Sequence, residues 1–375
     1  MRVIGIIGAG LSGTERENKS MDAKGKVAKL AKLLYSIYGW KHLYQDVEHP
    51  YFGDWAVARS AARFAPMWRT CKSLGTTGGT HVDIGCNTGR ITRQFAAFGF
   101  DSVGFDTSKT CVEVCNEANT VLISKGKRPE FVHGKWDGRP CDVMTCLSVF
   151  HSFFRKGKED AHRETYRKMA AQSKVLITDC VVDPKEYCMN WEKVEDFAKW
   201  LTSACGKPVY LLDFSDRRPL LVVTDLPVVR NLTEPVPPMK EAALNVSDVV
   251  VTGDEFSRWI GRDLRKMPHF DLFLDIHRGN KLDLNHRYVR DYLYADLKYP
   301  EKAATATLKH RTALFNDIKD NGIQNPIWVV LDEYGIRRVD GHHRATISIV
   351  LDRAVTVKLY DMTGLYNLDS LPALP

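Results

Sequence analysis

Five consecutive residues, Asp340-Gly341-His342-His343-Arg344, gather a carboxylate, a glycine, two imidazoles and a guanidinium. They stand where a strand pattern gives way to an apolar run, Ala345–Val350. A helix N-terminus there would offer free backbone N–H groups and a positive dipole end to an anion. Arg344 adds a forked donor, the histidines add further donors, and Gly341 lets the backbone come close. The five residues are read as a phosphate-binding loop. A second such stretch lies far upstream, at Val82-Asp83-Ile84-Gly85-Cys86-Asn87-Thr88-Gly89. A hydrophobic strand runs there into a turn whose glycines, 85 and 89, allow close approach of a ligand and of the following helix. The next strand ends at Phe105-Asp106, where a carboxylate can take both hydroxyls of a ribose. Two nucleotide-handling loops imply two domains and two chemistries.

The elements that must hold the upstream loop alternate. Strands are expected at Thr80–Ile84, Ser102–Phe105, Glu130–His133, Val143–Ser148 and Val175–Asp179, with helices at Thr88–Phe98, Lys109–Ser124, Ala161–Ala171 and Trp191–Ala204. Val209–Phe214 and Leu220–Thr224 close the series without a helical spacer, so one edge is expected to be antiparallel. This alternation predicts an α/β fold with helices on both faces of the sheet. Upstream, Val27, Leu30, Leu33, Leu34 and Ile37 recur at helical spacing and predict a helical cover.

Four prolines between Leu226 and Pro238 exclude a continuous helix or a central strand and read as an extended linker. Beyond it, Thr252-x-x-Glu255 ahead of Phe256, Trp259, Ile260 and Leu264 is a capping-box helix start. A helix over Thr307–Asp320 stops at Asn321-Gly322, and strands Pro326–Leu331 and Ile336–Val339 lead into the loop at 340–344. The expected division is a helical region over 1–75, an α/β domain over 76–225, a linker over 226–245 and a smaller α+β domain over 246–375.

The 375 residues suit two or three domains. A formal charge of +7 permits, without requiring, contact with nucleic acid or phosphorylated substrates. No apolar run approaches a membrane span, and the first residues are too quickly polar for a signal peptide. All nine cysteines fall between Cys71 and Cys205 without the paired spacing of a zinc site. They read as reduced, buried thiols in a cytoplasmic protein, and no metal-ligating cluster is expected.

The region from Tyr44 to Thr224 resembles class I S-adenosylmethionine-dependent methyltransferases. The resemblance is carried by 82–89, by Val103-Gly104-Phe105-Asp106 and by Cys141–His151, which is similar to the family's fourth strand and the loop bordering the methyl donor. It implies a Rossmann-like domain with Asp83 and Gly85 at the methionine end of the donor and Asn87 and Gly89 in the same donor-binding loop. It also implies Asp106 on the ribose, Asp137 near the adenine and Ser148 in the bordering loop. Asn87 departs from the fuller three-glycine pattern. His151 and Asp179 are the candidate bases for a hydroxyl acceptor. The family's motif for methylating base amino groups is missing after the fourth strand.

The region from Leu284 to Met362 resembles the ParB/sulfiredoxin superfamily, through Ile318–Ile327 and the loop at 340–344. The Asp-Gly-His-His-Arg form is similar to its small-molecule kinase branch, which implies ATP or another nucleotide with magnesium. Glu301 and Asp291 are the candidate metal-binding or basic acids of such a kinase.

The sequence reading is therefore a bifunctional enzyme. It would methylate a hydroxyl of a small molecule or glycan, with a second domain that binds nucleotide and acts as a kinase or NTPase. The alternative is a ParB-like nucleic-acid-binding protein or nuclease fused to a nucleic-acid methyltransferase. It is favoured by the net charge and the Arg/Lys-rich stretch Arg258–Lys266. A third reading makes the second domain a nucleotide sensor. A formal dinucleotide match, Gly8-Ala9-Gly10-Leu11-Ser12-Gly13, lacks the second strand and acid it needs, since Thr14–Lys26 is polar.

Overall fold

The computed structural model describes residues 26–37, 63–121, 127–149, 160–179, 193–215, 218–227, 239–244, 250–251, 262–295, 299–332 and 335–361. His151, the Gly8–Gly13 turn, the expected helix start at 252–255 and most of the proline-rich linker lie outside them.

Two sheets organise these residues. The first has seven strands: β1 (Gly79–Ile84), β2 (Phe100–Asp106), β3 (Glu130–His133), β4 (Cys141–Cys146), β5 (Ser173–Asp179), β6 (Val209–Ser215) and β7 (Arg218–Val223). Their spatial order is β3-β2-β1-β4-β5-β7-β6. β1 to β5 pair in parallel, while β7 runs antiparallel to both β5 and β6. The antiparallel pairing expected at one edge is present, with β7 lying between β5 and the edge strand β6. β6 and β7 follow each other with almost no connection, so β7 must reverse, and it fills the gap beside β5.

The sequence order reverses about β1, which neighbours both β2 and β4, and such a switch point opens a crevice at the carboxyl ends of the strands. The domain is Rossmann-like with a mostly parallel central sheet. Strand periodicity dictates its two cores. Met144 and Leu176 point to one face, against Tyr166 and Met169 of α5 (Asp160–Ala171) and Phe197 and Leu201 of α6 (Val194–Cys205). Their neighbours Val143, Val175 and Ile177 point to the other face. There they meet Phe64 and Trp68 of α2 (Phe64–Ser73) and Ile91 and Phe95 of α3 (Arg90–Ala97). Each such buried side chain contributes about 1.5–3 kcal/mol. A further helix, α1 (26–37), sets Leu30 and Leu34 against Val114 and Ala118 of α4 (Lys109–Val121).

The second sheet has six strands: β8 (Lys240–Leu244), β9 (Val250–Val251), β10 (Arg262–Asp263), β11 (Ile327–Asp332), β12 (Gly335–Asp340) and β13 (Val355–Asp361), in the order β10-β9-β12-β11-β13-β8. Residues 240–244, read as the end of the linker, therefore form an edge strand, pairing antiparallel with β13. Residues 262–266, expected as helix, are β10 and a short 3-10 turn. Arg262 and Asp263 pair with β9, and Leu264, the apolar residue of that run among the described residues, is buried. α7 (Pro268–Arg278), a wide helical turn over Tyr288–Tyr294, α8 (Glu301–Asn321) and α9 (His342–Val350) pack on this sheet around Phe273, Phe315 and Ile347. The Asn321 stop of α8 falls where the sequence put it, with Gly322 at φ 73°.

The sheets are not merely tethered. Trp328 and Tyr360 of the second belong to a core cluster of the first. The Tyr360 hydroxyl accepts the Val194 N–H at 3.4 Å and lies 3.5 Å from Glu195 Oε2. All seven described cysteines are free thiols, six of them buried.

Candidate active site

The crevice at the end of β1 is built from the loop 85–89. Gly85, Asn87 and Gly89 all have positive φ (72°, 53° and 77°), so the chain turns sharply out of the strand. The Gly85 and Cys86 N–H groups both donate to Phe105 O, at 2.8 and 3.0 Å, which ties the loop to the end of β2. A side chain at 85 would collide with Val149, and one at 89 with Phe131 and Cys115.

Asp106 sits at the mouth of the loop. Its Oδ2 accepts the Asn87 N–H at 2.9 Å and its Oδ1 accepts the Ser108 N–H at 2.8 Å. The acid and the glycine loop picked out by the sequence are therefore in contact.

Asp83 is buried beneath the loop. Its Oδ2 accepts the Thr92 hydroxyl at 2.7 Å and its Oδ1 the Thr145 hydroxyl at 2.8 Å. Burial pushes its carboxyl up to about 6, against the opposing effect of the two hydroxyls. Thr145 also lies 3.0 Å from His81 Nε2. Since Thr145 spends its proton on Asp83, His81 donates from Nε2, and its Nδ1 accepts the Ser102 hydroxyl at 3.3 Å. Burial pushes the His81 imidazole down to about 3.

Asp137 lies outside this cluster, exposed on the loop after β3, with both carboxylate oxygens bonded to its neighbour Arg139. Arg139 binds it through Nε and Nη2 at 3.0 and 2.7 Å, and that bonding holds the carboxyl below its ordinary range. The Arg139 guanidinium stands 5.1 Å from the Phe105 ring, beside Asp106.

Across the crevice, beyond β4 and β5, Ser148 and Asp179 are brought together. Asp179 Oδ1 accepts the Ser148 N–H at 2.5 Å and Oδ2 lies 3.2 Å from the Ser148 hydroxyl. Arg63 Nη1 reaches both Asp179 Oδ2 and Ser148 Oγ at 3.1 Å, and Arg218 Nη1 also donates to Ser148 Oγ. Arg63, Asp179 and Arg218 are each 5% exposed or less. Ser148 adopts φ 59°, a strained choice for a residue other than glycine, and this bonding holds it there. Asp179, a candidate base, thus has its oxygens engaged by a guanidinium and a backbone N–H. Sequence reasoning missed Arg63 and Arg218. One precedes a covering helix and the other opens a strand, and no local spacing links them to Ser148.

The strand-to-helix loop of the second module forms where expected. Gly341 caps α9 at φ 92°, and the helix opens at His342 and His343. Arg344 turns back on the loop. Its Nη1 donates to Asn325 O at 2.6 Å and Pro326 O at 3.1 Å, and its Nη2 would lie 3.0 Å from a Cβ at 341. Glu301 is exposed at the start of α8, and Asp291 lies 3.5 Å from Arg287.

Residues 82–177 match the methyltransferase domain family. The match takes in about a quarter of the chain, from β1 into β5. No curated protein matches the sequence. Among solved structures, the bifunctional kinase-methyltransferase WbdD is 20% identical at a TM-score of 0.44, over 56% of this chain and 49% of that one. This chain therefore spans about half the length of WbdD. Magnesium protoporphyrin IX methyltransferase (ChlM) from Synechocystis PCC 6803 with bound SAM is 18% identical at a TM-score of 0.35, over 43% of this chain and 76% of that one. An S-adenosylmethionine-dependent methyltransferase from Clostridium acetobutylicum ATCC 824 is 14% identical at 0.34, over 43% and 89%. These likenesses are distant, and the strand order itself carries the fold. Among the described residues no helix is long and apolar enough to cross a membrane.

Proposed function

We propose that the first module binds S-adenosylmethionine in the crevice at β1 and β2 and passes its methyl group to a hydroxyl of a small molecule or glycan. The observation that carries this reading is the grip of Asp106 on the Asn87 N–H, within a segment that matches a methyltransferase domain. The fit to the donor rests on this chain's own residues. The turns at Gly85 and Gly89 pack closely on Val149, Phe131 and Cys115, and the acids Asp83 and Asp106 favour a ligand that carries ammonium and sulfonium charge.

When bound, the donor supplies an electrophilic methyl group whose leaving sulfur becomes a neutral thioether. The protein's part is positioning and proton removal. Asp106 fixes the ribose end. The loop 85–89 would border the sulfur end. Arg63 and Arg218 hold Ser148 and the end of β4 as the wall facing the acceptor. Asp179 acts by holding Ser148, and His151, which follows that wall in the sequence, takes the acceptor's proton.

The test is calorimetric titration with S-adenosylmethionine, followed by methyl-label transfer to a panel of hydroxyl compounds and glycans. One equivalent should bind and label should appear on oxygen. Absence of binding at millimolar donor ends the reading, and label on nucleic acid would replace the acceptor class.

For the second module, the proposal is a ParB/sulfiredoxin-like nucleotide-binding domain with kinase or NTPase activity. What supports it is the glycine-capped loop at the start of α9. Titration with ATP and magnesium checks it, and a flat titration removes it.

A further inference from the structure

We propose that His269, His342 and His343 form a binding site for a divalent transition-metal ion of the zinc type. The sequence keeps these residues apart, His269 lying roughly seventy residues upstream of the pair. The fold joins them. α7 begins at Pro268 and buries His269 completely, and it packs against α9, which opens with His342 and His343. The His269 ring centroid lies 4.9 Å from each of the other two, and those two are 3.8 Å apart. One ligating atom from each residue falls within 4.8 Å of the other two.

The chemistry of the set selects the ion. Three imidazole nitrogens without a carboxylate suit zinc, cobalt, nickel or copper, whereas magnesium and calcium ask for oxygen. Zinc–nitrogen bonds of ~2.0–2.1 Å in a tetrahedral site place the nitrogens about 3.3 Å apart. With the ligating atoms within 4.8 Å of one another, binding the ion would turn the three rings toward a common centre. Aromatic rings border the histidines. Tyr288 and Tyr292 present ring edges to His269 at 4.9 and 4.3 Å, and Phe273 stands 6.2 Å from His343. The backbone at 342–343 is fixed from the other side by the Gly341 turn and by Arg344 on the carbonyls of Asn325 and Pro326.

Three protein ligands leave one coordination position open. A water or a phosphate oxygen would complete the shell, so the proposed site does not depend on nucleotide on the same loop. This also distinguishes it from the magnesium expected beside a nucleotide.

The experiment uses the tag-free full chain, stripped with a chelator. Zinc is titrated by calorimetry and cobalt by visible absorption. One equivalent should bind, with cobalt bands of tetrahedral intensity and no thiolate charge-transfer band. Magnesium should give no response. His342→Gln and His343→Gln, both at half-buried positions, should each weaken zinc binding at least about tenfold while circular dichroism stays unchanged. Asp106→Ala, in the other module, should bind zinc like the parent. Failure of the parent to bind zinc, full affinity in the His342→Gln/His343→Gln double variant, or a thiolate band placing the ion on cysteine would each overturn the proposal.

Discussion

Asp106 Oδ2 and the Asn87 N–H are 2.9 Å apart, which joins the end of β2 to the middle of the loop that follows β1. One carboxylate therefore shapes the glycine loop with one oxygen and caps the next turn, at Ser108, with the other. A ligand ribose meeting this carboxylate would meet an acid already aimed by the backbone.

Removing that acid should disable the donor site first. Bonds to a charged group contribute about 1.5–3 kcal/mol each. Asp106→Ala should then weaken S-adenosylmethionine binding at least tenfold, by about 1.4 kcal/mol or more. Calorimetry on a variant with parental circular dichroism measures it, and undiminished affinity removes Asp106 from the site.

Asp83 and His81 should pull the stability curve in opposite directions. The Asp83 carboxyl rises from 3.8 to about 6 on folding, so its contribution is full below 3.8 and is lost as pH rises through about 6. The His81 imidazole falls from 6.5 to about 3, so its contribution is full above 6.5 and is lost as pH falls toward 3. Between about pH 4 and 6 the two slopes oppose, each at most about 1.4 kcal/mol per pH unit. Asp83→Asn should steepen the rise of the urea midpoint with pH across that window, and His81→Gln should flatten or invert it. Identical profiles for both variants would refute this assignment.

Gly89→Ala should be costly. The added carbon would lie 2.6 Å from the Phe131 ring and 2.9 Å from Cys115 Sγ, at φ 77°. Overpacking and the left-handed backbone together predict a loss of about 2–4 kcal/mol. Gly75→Ala serves as a comparison, because its φ is 72° but nothing lies within 4 Å of the added carbon. Equal losses in urea unfolding would show that backbone conformation alone matters at position 89.

Glu195 should couple the two modules. Its Oε1 accepts the Met239 N–H at 2.6 Å, and its Oε2 faces the Tyr360 hydroxyl. Glu195→Ala strands both groups and should cost about 2–3 kcal/mol, with a calorimetric unfolding transition that broadens or splits. Tyr360→Phe should cost about 1 kcal/mol. A single sharp transition at the parental midpoint for Glu195→Ala would show that the contact carries no coupling.

The strand–helix alternation through β5, the glycine loop with its acid, and the glycine-capped start of α9 were all legible in the chain itself. Each depends on neighbours within a few residues or one strand–helix unit: apolar period, a residue with φ above zero, an acid at the end of the next strand. Tertiary structure decided the rest. The placement of β7 between β5 and β6, the recruitment of 240–244 to pair with β13, the clamp of Arg63 and Arg218 on Ser148, and the meeting of His269 with His342 and His343 all join residues far apart in sequence. Periodicity reports which face of an element is apolar. It carries no record of which distant element covers that face, and side-chain contacts of this kind follow only from that choice.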